Sequence, residues 1–233
     1  MSTVVPLLGI SSMATRQLLS ELATRCAPAG SSLQFESVGG VDAARRVAAG
    51  EAFDLVVLAA DAMDKLLAAG HLLPGTLRPL VDSPMAIASR EGPARPDVGS
   101  AAALREAVLQ APSIGYSTGP SGVALMALFE RWGVMAALRD RLVQARPGVP
   151  VASLIAGGEV SLGFQQRSEL LGVAGVQVLG DMPSGLEIVT TFSGAVAARS
   201  THVDLARQVL VQLASEQAAA VAERVGMRGR GCV

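Results

Sequence analysis

The chain has 233 residues, half of them hydrophobic but only 3% aromatic, and its 19 basic and 20 acidic side chains leave a net charge of -1. That length allows one large or two small domains with cores of Ala, Leu and Val. Interspersed charge, without a basic stripe or stacking aromatics, excludes the usual nucleic-acid binder. No run of 18 uncharged apolar residues occurs, so no membrane span is expected.

In chain order, short apolar runs alternate with amphipathic stretches. Residues 4–9 read as a strand, Ser11-Ser12 stand where a helix cap belongs, and Leu18, Leu19, Leu22 and Ala23 follow at helical spacing. Residues 33–37 form a second strand, Gly39-Gly40 a turn, and 41–49 a helix. The continuous apolar run 55–59 is a strand buried on both faces, followed by a helix over 61–69 closed by Gly70. Residues 82–89 read as an extended crossing interrupted by Ser83-Pro84.

After a Pro/Gly segment the alternation restarts. It gives a helix capped by Ser100 through Gln110, a strand over 113–116, a tight loop over 118–122, and helices over 123–132 and 135–142. Pro150 opens a helix through Ala156, and strands follow over 161–164 and 176–179. A second extended crossing covers 187–193 and 195–198, broken by Gly194. Helices over 203–214 and 216–225 close the chain. The Gly- and Arg-rich residues 227–233 read as a frayed terminus with a free thiol at Cys232, although a Cys26–Cys232 disulfide stays open.

This alternation implies βαβ units and an α/β fold. The two crossings, near 82–89 and 188–198, divide it into nested lobes: 1–82 with 195–233, and 84–193. Two mixed sheets flanked by helices and joined by a two-strand hinge make a two-lobed binding geometry, with the ligand expected in the cleft.

Four Ser/Gly-rich loops sit at strand ends or helix starts: Ser11-Ser12, Ser37 with Gly39-Gly40, Ser117 with Ser121-Gly122, and Pro150-Val151. The first amides of a helix lack internal partners and carry partial positive charge. Small residues let an anion approach them, and a Ser hydroxyl adds a donor. Several such starts would hold an anion without basic side chains. His71 and His202 read as solvated. No His, Cys or carboxylate cluster has metal spacing, and neither a nucleotide-phosphate loop nor a nucleophilic-serine motif occurs, so no metal or cofactor is expected.

The Ser11-Ser12 loop, the strand Phe53-Asp54-Leu-Val-Val-Leu-Ala59, the Ser117…Ser121-Gly122 loop, the Glu159…Gln166 segment and the terminal Leu213…Ala218 together resemble the molybdate-binding-protein-like branch of type 2 periplasmic binding proteins, over essentially the whole chain. The resemblance implies the type 2 periplasmic-binding-protein fold. It also implies anion binding by Ser side chains in the early loops and by backbone amides in the other lobe. The chain departs from the molybdate pattern where Gly39-Gly40 replace a Ser run and where Gln166 occupies the Tyr position. Phe164-Gln165-Gln166-Arg167, with Pro150…Ser153 ahead of it, is more similar to the branch that includes aconitate isomerase.

The expected ligand site is therefore Ser11, Ser12, Ser37, Gly39, Gly40, Ser117, Ser121, Gly122, Val151, Gln165 and Gln166. An amide both donates and accepts, which suits a hydroxylated carboxylic acid better than a bare oxyanion. Arg167 would pair with a carboxylate if it faces the cleft. The expected partner is a small organic polycarboxylate or tetrahedral oxyanion. The alternatives are a cytosolic isomerase of an unsaturated tricarboxylate, with Tyr116, Glu36 or Glu169 as the base, and an intracellular anion sensor. As written, the sequence reads as cytoplasmic. A periplasmic location and an ABC transporter partner would require that a signal peptide had been removed.

Overall fold

The computed structural model describes residues 4–93 and 95–230. The chain splits into two compact units, Met1–Ser83 with Thr191–Val233, and Pro84–Thr190.

In the first unit, β1 (Val5–Ser12), β2 (Ser31–Val38) and β3 (Leu55–Ala59) run parallel in the order β2-β1-β3. The returning strand β9 (Val189–Val196) pairs antiparallel with β3. The apolar run of β3 follows from burial on both faces. Leu55, Val57 and Ala59 join a core with Leu18, Leu19 and Leu22 of α1 (Arg16–Cys26), and with α9 (Val203–Leu213) and α10 (Glu216–Arg224). Val56 and Leu58 face the opposite core, with Ala43 and Val47 of α2 (Gly40–Ala48) and Met63 and Leu66 of α3 (Ala60–Ala68).

Gly194 does not break the second crossing, because β9 passes through it without interruption. A Cβ there would lie 2.8 Å from Leu80 Cδ1 and 2.9 Å from Leu210 Cδ2, so glycine serves close packing.

The tail also departs from expectation. Met227 is buried, and β10 (Arg228–Gly229) pairs with Val81 and Asp82 of β4 (Arg78–Arg90). Arg230 donates from its backbone to the Leu80 carbonyl at 2.9 Å and from Nε to Asp82 Oδ2 at 2.8 Å. Cys26 is buried and has no disulfide partner among the described residues, and burial pushes its thiol pKa up. Cys232, and with it any pairing to Cys26, lies outside the described residues.

His202 is not merely solvated. Asp54, at the entry to β3, accepts from Leu8 N at 3.0 Å and from Ser200 Oγ at 2.7 Å, and its Oδ1 lies 3.3 Å from His202 Nδ1. One nearly buried carboxylate thus ties β1, β3 and the start of α9 together. Asp54→Ala leaves the Leu8 amide and the Ser200 hydroxyl without this acceptor. The expected loss is about 3 kcal/mol, read from urea denaturation; a loss near zero would mean that the three segments hold together without it.

In the second unit, β7 (Leu162–Gln166) and β8 (Val176–Asp181) pair antiparallel with the later part of β4. β5 (Ile114–Tyr116) lies parallel between β7 and β6 (Leu142–Gln144). The helix expected over 135–142 is one α turn, α6 (Met135–Leu138), that continues as a 3-10 turn over Arg139–Arg141 before β6 begins at Leu142. The Arg141 guanidinium donates to the Leu109, Ala111 and Ala137 carbonyls and ties that turn to residues 109–111.

Met85, Ile87, Leu162 and Phe164 share a core with Leu104 of α4 (Ala101–Gln110) and with Leu125 and Phe129 of α5 (Pro120–Arg131). Phe129 and Phe164 meet edge-on at 5.9 Å. On the other face Ala86 and Ala88 meet Val151, Ala152 and Ile155 of α7 (Val151–Ala156) and Leu170 of α8 (Arg167–Leu170).

Candidate functional site

Each unit gathers polar groups at the C-terminal ends of its parallel strands, the edge where open α/β sheets usually bind ligands. In the first unit, β1 extends through Ser11 and Ser12, because the ladder pairs Ser11 with Ser37 of β2. Ser11 is fully buried, and its Oγ lies 2.7 Å from Ser37 Oγ. Ser12 accepts from Ala14 N at a long 3.4 Å, while its carbonyl receives Thr15 Oγ1 at 2.9 Å.

Gly39 and Gly40 start α2 without a side-chain cap. A Cβ on Gly40 would lie 3.7 Å from Ser12 Oγ, so the loops after β1 and β2 meet. Ser11, Ser12, Ser37, Gly39 and Gly40 thus form one cluster, in which buried Ser11 orients Ser37 and the other four are partly exposed.

In the second unit, Ser117 follows β5, and Ser121 and Gly122 lie in the first turn of α5. Ser117 and Ser121 place their hydroxyls 3.4 Å apart. The helix starts at Gly119 with no side-chain cap, whereas Ser100 and Ser215 cap α4 and α10 in the ordinary way.

The fourth loop differs. Val151 is fully buried, and the Ala152 amide donates to Gln165 Oε1 at 2.9 Å. The Gln165 carbonyl oxygen is therefore taken up by the first turn of α7. Gln166 ends β7 at 5% exposure. Its Nε2 donates to Thr190 Oγ1 at 2.8 Å, and its Oε1 is buried with no partner among the described residues.

Three further candidates have local partners. Arg167 Nη1 pairs with Asp181 Oδ1 of β8 at 2.7 Å, so its charge is met within the unit. Glu36 is gripped by Arg46, which also bonds Glu51 and stacks 5.3 Å from the Phe53 ring centre. Hydrogen bonds from Arg46 hold both carboxyls below the usual glutamate range, which makes Glu36 a poor proton acceptor. Tyr116 is half-buried against the core beside α5.

A depressed folded-state pKa stabilises above the unfolded value, and that benefit is lost as pH falls through the folded value. Arg46→Met is therefore expected to lower Tm at pH 7, with a deficit that shrinks below about pH 4. A deficit constant across the acid range would remove the ionic account.

Thr190 and Asp54 escaped sequence reasoning, since each acts through a partner fixed only by sheet pairing. Among the described residues no group of three or more His, Cys, Asp or Glu could hold a metal ion, and no helix is long and apolar enough to cross a membrane.

The comparisons agree with this architecture. An aconitate isomerase from Pseudomonas sp. is 37% identical over 186 residues, covering 78% of this chain and 70% of that protein. The periplasmic molybdate-binding protein of Azotobacter vinelandii superposes with a TM-score of 0.78 at 18% identity, covering 95% of this chain and 98% of that one. A tungstate-binding protein from Desulfovibrio alaskensis superposes with a TM-score of 0.70 at 16% identity, covering 98% and 100%. These structures establish the type 2 periplasmic-binding-protein fold. With its family profile matched from residue 7 to residue 228, the chain belongs to the bacterial extracellular solute-binding proteins.

Proposed function

We propose that the protein binds a small anion, an organic polycarboxylate or a tetrahedral oxyanion, through serine hydroxyls and helix-start amides. In the first unit the candidate donors are Ser12, Ser37 and the first amides of α2; in the second they are Ser117, Ser121 and the first amides of α5. The observation that carries this reading is the pair of uncapped glycine helix starts, each beside a cluster of serine hydroxyls. Neutral donors of this kind hold negative charge without a basic side chain. The named specificities of the molybdate- and tungstate-binding neighbours point the same way. Family membership also supports work outside the cytoplasmic membrane with an ABC transporter as partner.

The test is a thermal-shift screen with molybdate, tungstate, sulfate, phosphate and di- and tricarboxylates. A ligand at a hundred times its Kd stabilises by about 2.7 kcal/mol, which raises Tm by roughly 5–10 °C in a chain of this size. No shift with any of them would overturn the reading.

The aconitate isomerase relative favours a second reading, a 1,3-proton shift in an unsaturated tricarboxylate. A proton leaves one allylic carbon and returns to the other, and the donors stabilise the enolate formed in between. Of the candidate bases Tyr116, Glu36 and Glu169, Glu36 is held by Arg46. Incubation with cis- and trans-aconitate, followed by NMR, decides it: absence of interconversion at high protein concentration removes this reading.

A further inference from the structure

We infer that the ligand carries a hydrogen-bond donor, received by Gln166 Oε1, which makes it a hydroxylated polycarboxylate rather than a fully ionised tetrahedral oxyanion. This rests on the anion reading above and names the ligand class within it. Gln166 is 5% exposed, and its amide is oriented on one side only, by Nε2 donating to Thr190 Oγ1 at 2.8 Å. The carbonyl oxygen on the other side is buried and meets no donor among the described residues.

A buried acceptor left unpaired is costly, so a donor belongs there. Neighbouring groups do not supply it. Gln165, one residue earlier, points its own carbonyl to Ala152 N, and Arg167, one residue later, is held by Asp181. Gln166 ends β7, and β5, which leads into Ser117, runs parallel to it. The orphan acceptor therefore stands at the sheet edge that carries the Ser117–Ser121 donors.

The chemistry separates ligand classes. A fully ionised tetrahedral oxyanion offers only acceptors, so its oxygen against Oε1 would set two lone pairs together. A carboxylate is served by the serine hydroxyls and helix amides, and an alcohol on the same molecule donates to Oε1. A site with a buried acceptor of this kind rejects the analogue that lacks the hydroxyl.

Citrate and tricarballylate make the test, since they differ by one hydroxyl, with isocitrate placing the hydroxyl on the neighbouring carbon. Calorimetric titration of the full chain, at a pH where all carboxyls are ionised, is expected to show citrate or isocitrate binding at least about tenfold tighter than tricarballylate. Gln166→Leu, checked for an intact melting transition, is expected to collapse that ratio towards one. Gln166→Glu keeps an acceptor, so it is expected to weaken all three acids together and preserve the ratio.

Tricarballylate binding as tightly as both hydroxy acids would overturn the inference and leave the anion reading standing. So would a ratio that survives Gln166→Leu. So would one lost in Gln166→Glu, which would mean that the amide presents its NH2 group to the ligand. Molybdate binding more tightly than all three acids would do the same. If none of these anions binds, the anion reading itself falls, and this one with it.

Discussion

Gly40→Asp is expected to abolish anion binding while leaving the fold intact or slightly firmer. Gly40 is the first residue of α2 and lies outside the positive-φ glycines, so an L-residue fits its backbone. A Cβ there would touch only Ser12, with Oγ at 3.7 Å. An acidic side chain in a first helical turn is favourable by about 0.3–1 kcal/mol, and replacing a helical glycine contributes a similar amount. Tm should therefore hold or rise by a few degrees.

The same carboxylate would sit beside the Ser12 hydroxyl and the α2 amides, where the proposed ligand places its charge. Two like charges about 4 Å apart repel by about 4 kcal/mol at an effective dielectric near 20, close to a thousandfold in Kd. Gly40→Ala, neutral and small, should bind within a few-fold of the parent chain. The readout is the Kd of whichever anion raises Tm in the screen. Unchanged affinity in the aspartate variant would show that the first-unit cluster does not touch the anion.

The fold was legible wherever local chemistry determines it. The run from Leu55 to Ala59 reads as a doubly buried strand because every side chain in it is apolar, and the structure buries all five. Ser100 stands before a helix and caps it. The misreadings share a cause, which is that polar or glycine residues were assigned by composition where sheet pairing decided the outcome. Ser11 belongs to the strand because β2 offers it a ladder, while Ser12 ends that strand and caps the turn into α1 as its sequence suggests. Gly194 stays in β9 because two leucines need its space. Residues 228–229 form a strand because β4 has a free edge at Val81 and Asp82.

The candidate cluster follows the same division. Ser12, Ser37, Gly39 and Gly40 stand out by helix-start chemistry, and the structure brings them to one edge of their unit. The partners that decide what a side chain is free to do were not legible. Gln165 meets Ala152 across 13 residues, Gln166 meets Thr190 across 24, and Asp54 meets His202 across 148. No local window contains both members of such a pair. Whether an amide faces a ligand or a neighbouring loop is settled by register, and register depends on the whole sheet.

Gly122→Ala tests the opposite kind of glycine and is expected to cost stability and binding together. A Cβ on Gly122 would lie 1.9 Å from the Ser117 carbonyl oxygen and 2.9 Å from its carbonyl carbon. Those are backbone atoms, so no rotamer change relieves the clash, and the turn from β5 into α5 must open. Overpacking of this kind costs about 3 kcal/mol or more, which lowers Tm by roughly 6–12 °C in a chain of this size. Opening the turn also separates Ser117 from Ser121, now 3.4 Å apart, and re-aims the first amides of α5. Gly119→Ala is the control. Its Cβ would approach nothing nearer than Ser117 Oγ at 4.0 Å, and its φ of -78° is ordinary. It should lose only the roughly 1 kcal/mol that separates glycine from alanine at a helix cap. Trp132, the single tryptophan, stands at the C-terminal cap of the same helix, so its fluorescence reports unfolding of this unit directly. If both variants unfold at the parent urea midpoint, the Ser117–Gly122 contact is not what shapes this loop. If Gly122→Ala alone unfolds early yet binds with parent affinity once folded, the second-unit cluster supports the turn and does not touch the anion.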